Sequence, residues 1–584
     1  MNPDRNRSIA SPGVQATRRG ALGLMAGGAG LLAASGAPAQ DVATTGVDAD
    51  TLACAQSLFS LDYTQSEREQ MLAGIDAWLG RAEALRARER PNTLSPALVF
   101  DPRLPGRPYR EQENRFTPAP HRASALPRDE ADIAFAGLAD LAAWMEAGLL
   151  SSERLTRIYL ARIERHGAKL ECFTAVFAER ALSQARERDA ERAAGQVRGP
   201  LHGLPYALKD IIDVEGLPAT WGATPYRERI GEQTATAAFQ LEAAGAVLLG
   251  KSTVGALAYG DIWYDGVTRN PFNTEEGSSG SSAGSASAAA AGLCAFSIGT
   301  ETLGSIVSPS HRCGAAGLRP TFGRVSRAGA MALCWSLDKI GPITRYAEDA
   351  APVLAALNGF DDADPSSLSH GLEIDLSAEV AGLRVGYDPA WFEDGAAPDL
   401  AALEAARALG VELVEISLED HPYGALLIQL EAESAAAFEH LTLSDLDDQL
   451  RWQEAQAWPN TWRRARFASA VDLINADRLR RQVMEMMDRV FEDVDLIIGP
   501  NFAGAMLLIT NYTGHPQLAF RSGFMDTPTR TIFGAPAGED RTPHRTPYAT
   551  SLWAPLFEEG RLIALGRAIE ARLGAVSERP AEFE

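Results

Sequence analysis

The residues able to do chemistry in this chain concentrate between positions 279 and 321. The stretch opens Ser-Gly-Ser281-Ser-Ala-Gly-Ser, continues as Gly299-Thr-Glu-Thr-Leu-Gly-Ser305-Ile-Val, and closes Cys313-Gly-Ala-Ala-Gly-Leu-Arg-Pro-Thr. Small residues on this scale let backbone N–H groups approach a bound group closely. Ser305 follows a glycine-containing turn, where the consecutive N–H groups of Thr302, Leu303, Gly304 and Ser305 can face a developing oxyanion. That is the equipment of acyl transfer. A flexible spacer has a similar Gly/Ser content. The apolar residues threaded through the stretch, among them Leu293, Phe296, Ile298, Ile306 and Leu318, favour a folded element instead.

A serine needs a base before it attacks a carbonyl. No Gly-x-Ser-x-Gly elbow leads into an α/β-hydrolase pattern, and of the nine histidines only His202 and His311 fall near informative segments. His202 reads as a turn residue; His311 stays open as a candidate. Lys209 is the stronger one, because it ends the apolar run Leu204-Pro-Tyr-Ala-Leu-Lys-Asp, which reads as a buried strand. Burial lowers a lysine's pKa, and a neutral amine serves as a general base. The competing reading is a lysine that snorkels to solvent or pairs with Asp210.

Together these pieces resemble the amidase signature family, whose members include fatty acid amide hydrolase, peptide amidase and the amidotransferase A subunit. The resemblance runs from about residue 132 to 575. It rests on Gly203-Leu-Pro-Tyr-Ala-Leu-Lys-Asp, Thr268-Arg-Asn-Pro-Phe, Ser281-Ser-Ala-Gly-Ser, Gly299-Thr-Glu-Thr-Leu-Gly-Ser, Gly317-Leu-Arg-Pro-Thr-Phe-Gly-Arg-Val-Ser, Ser336-Leu-Asp-Lys-Ile-Gly-Pro and Asn511-Tyr-Thr-Gly-His-Pro. It implies an α/β fold with a large mixed sheet flanked by helices on both faces. It also implies a Ser–Ser–Lys triad of Ser305 as nucleophile, Ser281 as proton relay behind a cis peptide bond, and Lys209 as base. No metal or organic cofactor is implied.

Three positions depart from the family pattern. Leu303 stands in place of a glycine, Val307 in place of an arginine, and Glu301 in place of an aspartate. Leu303 is expected to narrow the acyl pocket. Asp338 matches a family position and reads as structural. The loop carrying Tyr259, Trp263 and Tyr264 is expected to line the substrate mouth with Leu303 and Val307. Its rings suit an apolar or aromatic amide.

The elements that must hold these residues are legible in outline. Residues 246–251, 383–387 and 494–498 read as buried strands; 138–147, 234–244 and 400–409 read as helices. Ser151 and Ser152 cap a helix with Gly167 as its stop signal. Residues 424–490 are a mostly helical excursion. Thr64 and Glu67 form a capping box for an amphipathic helix, after which residues 88–128 are Pro- and Arg-rich and extended. The expected organisation is a signal segment over 1–39, a helical accessory segment with a linker over 40–131, and the catalytic domain over 132–584.

Thr17-Arg18-Arg19-Gly20, an apolar run to Ala34 and Ala37-Pro-Ala39 read in order as a twin-arginine signal with a cleavage site. Export to the periplasm or beyond is therefore expected. The apolar run is too short for a stable membrane span. A net charge of −23, from 54 basic and 77 acidic residues, disfavours a nucleic-acid partner. The five cysteines are widely spaced and mostly read as small buried hydrophobes. The leading expectation is an exported amidohydrolase acting on small linear carboxamides, and on esters, through an acyl-enzyme on Ser305. Two alternatives stand beside it: an amidotransferase A-like subunit, and a non-catalytic binding protein on the same scaffold. The oligomeric state is not legible.

Overall fold

A computed structural model describes residues 46–121 and 124–584. The twin-arginine pattern and its cleavage site lie outside the described residues. The chain divides into two compact units, one ending at Glu89 and one running Arg90–Glu584.

The first unit contains helices Ala49–Leu58 and Gln65–Arg86. The capping box forms as the sequence predicts. The Glu67 N–H donates to Thr64 Oγ1 at 3.3 Å, and the Thr64 N–H donates to Glu67 Oε2 at 2.7 Å. Neither helix has a fully buried residue.

The second unit includes residues 90–131, which sequence analysis grouped with the accessory segment. Side chains along this extended stretch tie it to the body. The Phe100 ring packs edge-on to Phe322 at 5.1 Å, and the strand Arg115–Thr117 pairs with Glu373–Asp375.

The body is built on an eleven-stranded mixed sheet. In chain order its strands are β1 (Phe173–Val176), β2 (Pro205–Lys209), β3 (Val247–Ser252), β4 (Phe296–Glu301), β5 (Ala316–Arg319), β6 (Lys339–Thr344), β7 (Arg384–Tyr387), β8 (Glu412–Glu415), β9 (Leu496–Pro500), β10 (Gln517–Thr527) and β11 (His544–Trp553). They lie side by side as β8-β7-β9-β11-β10-β5-β6-β4-β2-β3-β1. β2 runs parallel to both β3 and β4, and β7 to both β8 and β9, while the remaining pairs are antiparallel. β2, β3, β4 and β6 are buried along their whole length, as strands covered by helices must be.

The small-residue stretch is part of this core. Residues 283–290, Ala-Gly-Ser-Ala-Ser-Ala-Ala-Ala, form a wholly buried helix against β4. Gly284 is required there, since a Cβ would lie 2.3 Å from the Cys172 carbonyl oxygen. Ser285 Oγ donates to the Ile298 carbonyl at 2.9 Å, which satisfies a polar group the close packing buries.

The helix that begins after Ser151 runs to Leu170, one turn past Gly167. It stops at Glu171, which takes a left-handed conformation at φ 49°. A glycine signals a helix end only when the chain needs its positive φ, and Gly167 stays helical. All five cysteines are free thiols and four are buried. No helix among the described residues is long and apolar enough to cross a membrane.

Candidate active site

Because β2 and β4 run parallel in adjacent positions, Lys209 at the end of one reaches Thr300 near the end of the other. The Lys209 side chain is entirely buried. Its Nζ lies 2.9 Å from Ser281 Oγ, 2.9 Å from Ser282 Oγ, 2.8 Å from Thr300 Oγ1 and 3.2 Å from the Thr300 carbonyl oxygen. All four partners are neutral. Burial drives this amine well below the usual lysine value, against a smaller upward pull from Asp338 and Glu301. Asp210 does not pair with it. Strand side chains alternate, and the Asp210 carboxylate accepts from the Thr220 N–H and hydroxyl.

The hydrogen-bond directions separate the two serines. Ser282 Oγ donates to the Thr300 carbonyl at 3.0 Å and accepts the Thr300 N–H at 3.1 Å. Its proton is committed, so Ser282 accepts from the amine. Ser281 Oγ has no hydrogen-bond partner besides Lys209 among the described residues, and its proton is free to meet the amine's lone pair. The Gly280–Ser281 peptide bond is cis. Ser305 joins this group through the backbone: the Ser282 N–H donates to the Ser305 carbonyl at 3.1 Å. Ser305 is 7% exposed. Its backbone thus lies next to the residue that follows Ser281, although 96 residues separate Lys209 from Ser305.

Glu301 organises the turn that carries Ser305. Its Oε2 accepts the N–H groups of Ile306 at 2.8 Å and Val307 at 3.1 Å. Its Oε1 meets Arg319 Nη1 at 2.7 Å and Asn511 Nδ2 at 3.0 Å. Burial would raise this carboxyl, but Arg319 dominates and holds it down at about 2. Beside these satisfied donors, the N–H groups of Leu303, Gly304 and Ser305 have no acceptor among the described residues. The turn's left-handed residue is Gly304, at φ 87°, so Leu303 fits with an ordinary φ despite its Cβ. Asp338 accepts from Thr302 Oγ1 at 2.6 Å and from the N–H groups of Leu333 and Cys334, and so braces the start of the turn.

Three residues expected at the mouth take other places. Val307 is fully buried in the core, because the helix after Ser305 turns its first side chain inward. Trp263 lines a separate cavity with Ile163, Phe173 and Leu182, since its short hairpin packs beside the helix that ends at Leu170. Tyr264 lies under the Arg227 guanidinium, 5.0 Å from it. His311 shares hydrogen bonds with the Ala549 backbone and is held neutral by burial, its pKa lowered to about 3.

Tyr259 lies beside the serine segment through its chain neighbour. Gly260, the next residue, lies so close to Gly280 that a Cβ on Gly280 would meet its carbonyl oxygen at 1.8 Å. The Tyr259 ring packs against Trp452 at 4.9 Å, Trp458 at 4.8 Å and Phe533 at 6.4 Å. Phe533 sits on a loop pinned by Glu276. That buried carboxylate accepts from the Arg530 N–H, Nε and Nη2 at 2.8, 3.1 and 2.6 Å. On its Thr300 side the site borders a cavity of about 270 Å³, lined in part by Ala258, Thr300, Thr302, Met331, Trp335 and Asp338.

Sequence reasoning missed Ser282, Thr300, Arg319, Trp452 and Phe533. The Ser281-Ser282 pair was visible, but the Thr300 N–H and carbonyl that hold its second hydroxyl lie 18 residues later.

The chain is similar to known proteins. The family model described as Amidase matches residues 154–539. The A subunit of glutamyl-tRNA(Gln) amidotransferase from Anaeromyxobacter sp. (strain K) is 32% identical over 480 residues, covering 76% of this chain and 97% of its own length. Its counterpart from Roseiflexus castenholzii is 35% identical over 400 residues, covering 63% and 81%. Among solved structures, the native peptide amidase of Stenotrophomonas maltophilia superposes with a TM-score of 0.66 at 29% identity, covering 77% of this chain and 98% of its own. A large mixed sheet flanked by helices, with a serine-rich buried centre, defines an amide-processing α/β enzyme fold. The chain belongs to the amidase family, the amidase signature enzymes.

Proposed function

We propose that this protein is a serine amidohydrolase that cleaves small carboxamides, and esters, through an acyl-enzyme on Ser305. One observation carries the reading: a fully buried lysine amine with neutral partners, 2.9 Å from a serine hydroxyl that has no other hydrogen-bond partner among the described residues. Neutral Lys209 takes the Ser281 proton as Ser281 takes that of Ser305, whose oxygen attacks the amide carbonyl. The open N–H groups of Leu303 to Ser305 receive the oxyanion. Ser281 then passes a proton to the departing amine. Water repeats the sequence on the ester and frees the acid.

The aromatic group of Tyr259, Trp452 and Phe533 beside the Gly280–Ser281 segment supports an apolar or aromatic substrate. Export through the twin-arginine pathway belongs to the same proposal and is supported by Arg18 and Arg19 followed by the apolar run. Cell fractionation of wild type and the Arg18→Lys, Arg19→Lys double variant tests it.

A second reading is favoured by the names of the relatives: an amidotransferase A-like subunit that releases ammonia from an amide for a partner. The −23 charge and the twin-arginine pattern weigh against it.

A fluorophosphonate probe tests the main reading. Wild type is expected to be labelled at Ser305, and Ser305→Ala to be unlabelled. Label that persists in Ser305→Ala removes the nucleophile; a folded but unlabelled wild type favours a non-catalytic binding protein. Hydrolysis of apolar amides by the isolated chain separates the amidohydrolase from the amidotransferase component.

A further inference from the structure

The cavity beside the lysine has a wall from an unexpected part of the chain. Thr93 and Ser95 line it together with Thr300, Thr302 and Met331. They belong to the Pro- and Arg-rich segment that precedes the catalytic body in sequence, and beside this cavity Asn92 fastens it. Asn92 Nδ2 donates to the Ala332 carbonyl at 2.8 Å, and Asn92 Oδ1 accepts the Ala332 N–H at 2.7 Å. The Trp335 indole N–H donates to the Asn92 carbonyl at 3.2 Å. Both ends of one amide are matched to one backbone unit, so the segment is held in register across residues 331–335, which themselves line the cavity.

We infer that Thr93 and Ser95 wall the leaving-group half of the substrate cavity and set the size of the amine that departs. This rests on the amidohydrolase reading, in which Ser281 protonates that amine. The amine must then lie next to the Ser281–Lys209–Thr300 group, and the cavity that touches Thr300 is this one. A cavity of about 150 Å³ holds a benzene ring. At about 270 Å³ this one takes ammonia, a short alkylamine or a single-ring arylamine. Thr93 and Ser95 are specificity residues, and Asn92 is the positioning residue that holds them.

The test compares a primary amide, an anilide and a naphthylamide of one acid. Thr93→Phe fills the cavity and is expected to lower the anilide-to-primary-amide ratio of kcat/KM about tenfold, through KM, with Ser305 labelling unchanged. Asn92→Ala releases the wall and is expected to admit the naphthylamide, raising the naphthylamide-to-primary-amide ratio of kcat/KM. Asn92→Asp keeps one of the two hydrogen bonds and falls between. Aniline titrated calorimetrically into the Ser305→Ala protein reads the cavity without turnover, and adding Thr93→Phe is expected to weaken its binding. Unchanged ratios with intact labelling, or equal aniline binding with and without Thr93→Phe, overturn the inference. Failure of wild type to label at Ser305 instead defeats the amidohydrolase reading, and the calorimetry still decides the wall.

Discussion

Glu301 and Arg319 meet at 2.7 Å with neither side chain reaching solvent, and the carboxylate's other oxygen holds the backbone just beyond Ser305. Arg319 is held in turn by Gln517, Thr510 and the His515 carbonyl. The turn that carries Ser305 is therefore anchored through one ion pair to residues 510–517. A buried charge left without its partner is costly, so Arg319→Met is expected to lose about 3–5 kcal/mol of stability, read by urea unfolding. Glu301 is held at about 2 when folded and titrates near 4.3 when unfolded. Its folded pKa is the lower one, so its contribution is present above about pH 4.3 and is lost as pH falls towards 2. Glu301→Gln should flatten the stability profile in that window.

Lys209 gives a pH dependence of the same sign for a different reason, because burial disfavours its charged form. Burial lowers its pKa below that of the unfolded chain, so between the two values the unfolded state binds the extra proton and stability rises with pH. Lys209→Met is expected to remove that slope below about pH 10.4. The base must be uncharged, so kcat/KM should climb with pH through the folded pKa. Lys209→Arg puts a larger, permanently charged guanidinium in place of the neutral amine, and should be inactive at every pH. Activity that falls with rising pH over this range would contradict a neutral amine.

Ser281 and Ser282 are predicted to differ although both touch the amine. Ser281→Ala removes the relay, and a drop of about 10²–10⁴ in kcat follows from the loss of positioned proton transfer. Ser282→Ala leaves that path intact but strips the Thr300 N–H and carbonyl of a partner. Its expected cost is mainly stability, about 1–3 kcal/mol, with a smaller loss of kcat. Equal kinetic effects of the two substitutions would contradict the division of roles drawn from their hydrogen bonds.

Much of this was legible because strands and short motifs are local. The apolar runs of β2, β3, β7 and β9 sit within a residue or two of their expected places, and the two serines and the lysine lie in recognisable strings. The family resemblance supplied the roles of those three residues. What failed was non-local. Arg319 and Asn511 reach Glu301 from 18 and 210 residues away, as buried polar contacts that no periodicity encodes. Tyr259 and Trp263 are four residues apart on one loop, yet a two-residue hairpin sends the tryptophan to another cavity. The companions Tyr259 does have, Trp452 and Phe533, arrive from the helical excursion and from the loop between β10 and β11.

The Phe533 ring reaches Tyr259 and Trp452 because Glu276 fixes Arg530 three residues earlier, while Arg312 donates twice to the Thr531 carbonyl at 3.2 Å. If these rings contact the substrate, Phe533→Ala should lower kcat/KM for a phenyl-bearing amide about tenfold, and leave acetamide-sized amides unaffected. Glu276→Gln weakens the pin without touching a ring, and is expected to reproduce the same selectivity change at smaller amplitude. A pH profile separates the pair from the catalytic group: neither variant should shift the pH at which activity appears, because that is set by the amine of Lys209. Loss of activity towards all amides alike would place the rings in the core rather than at the mouth.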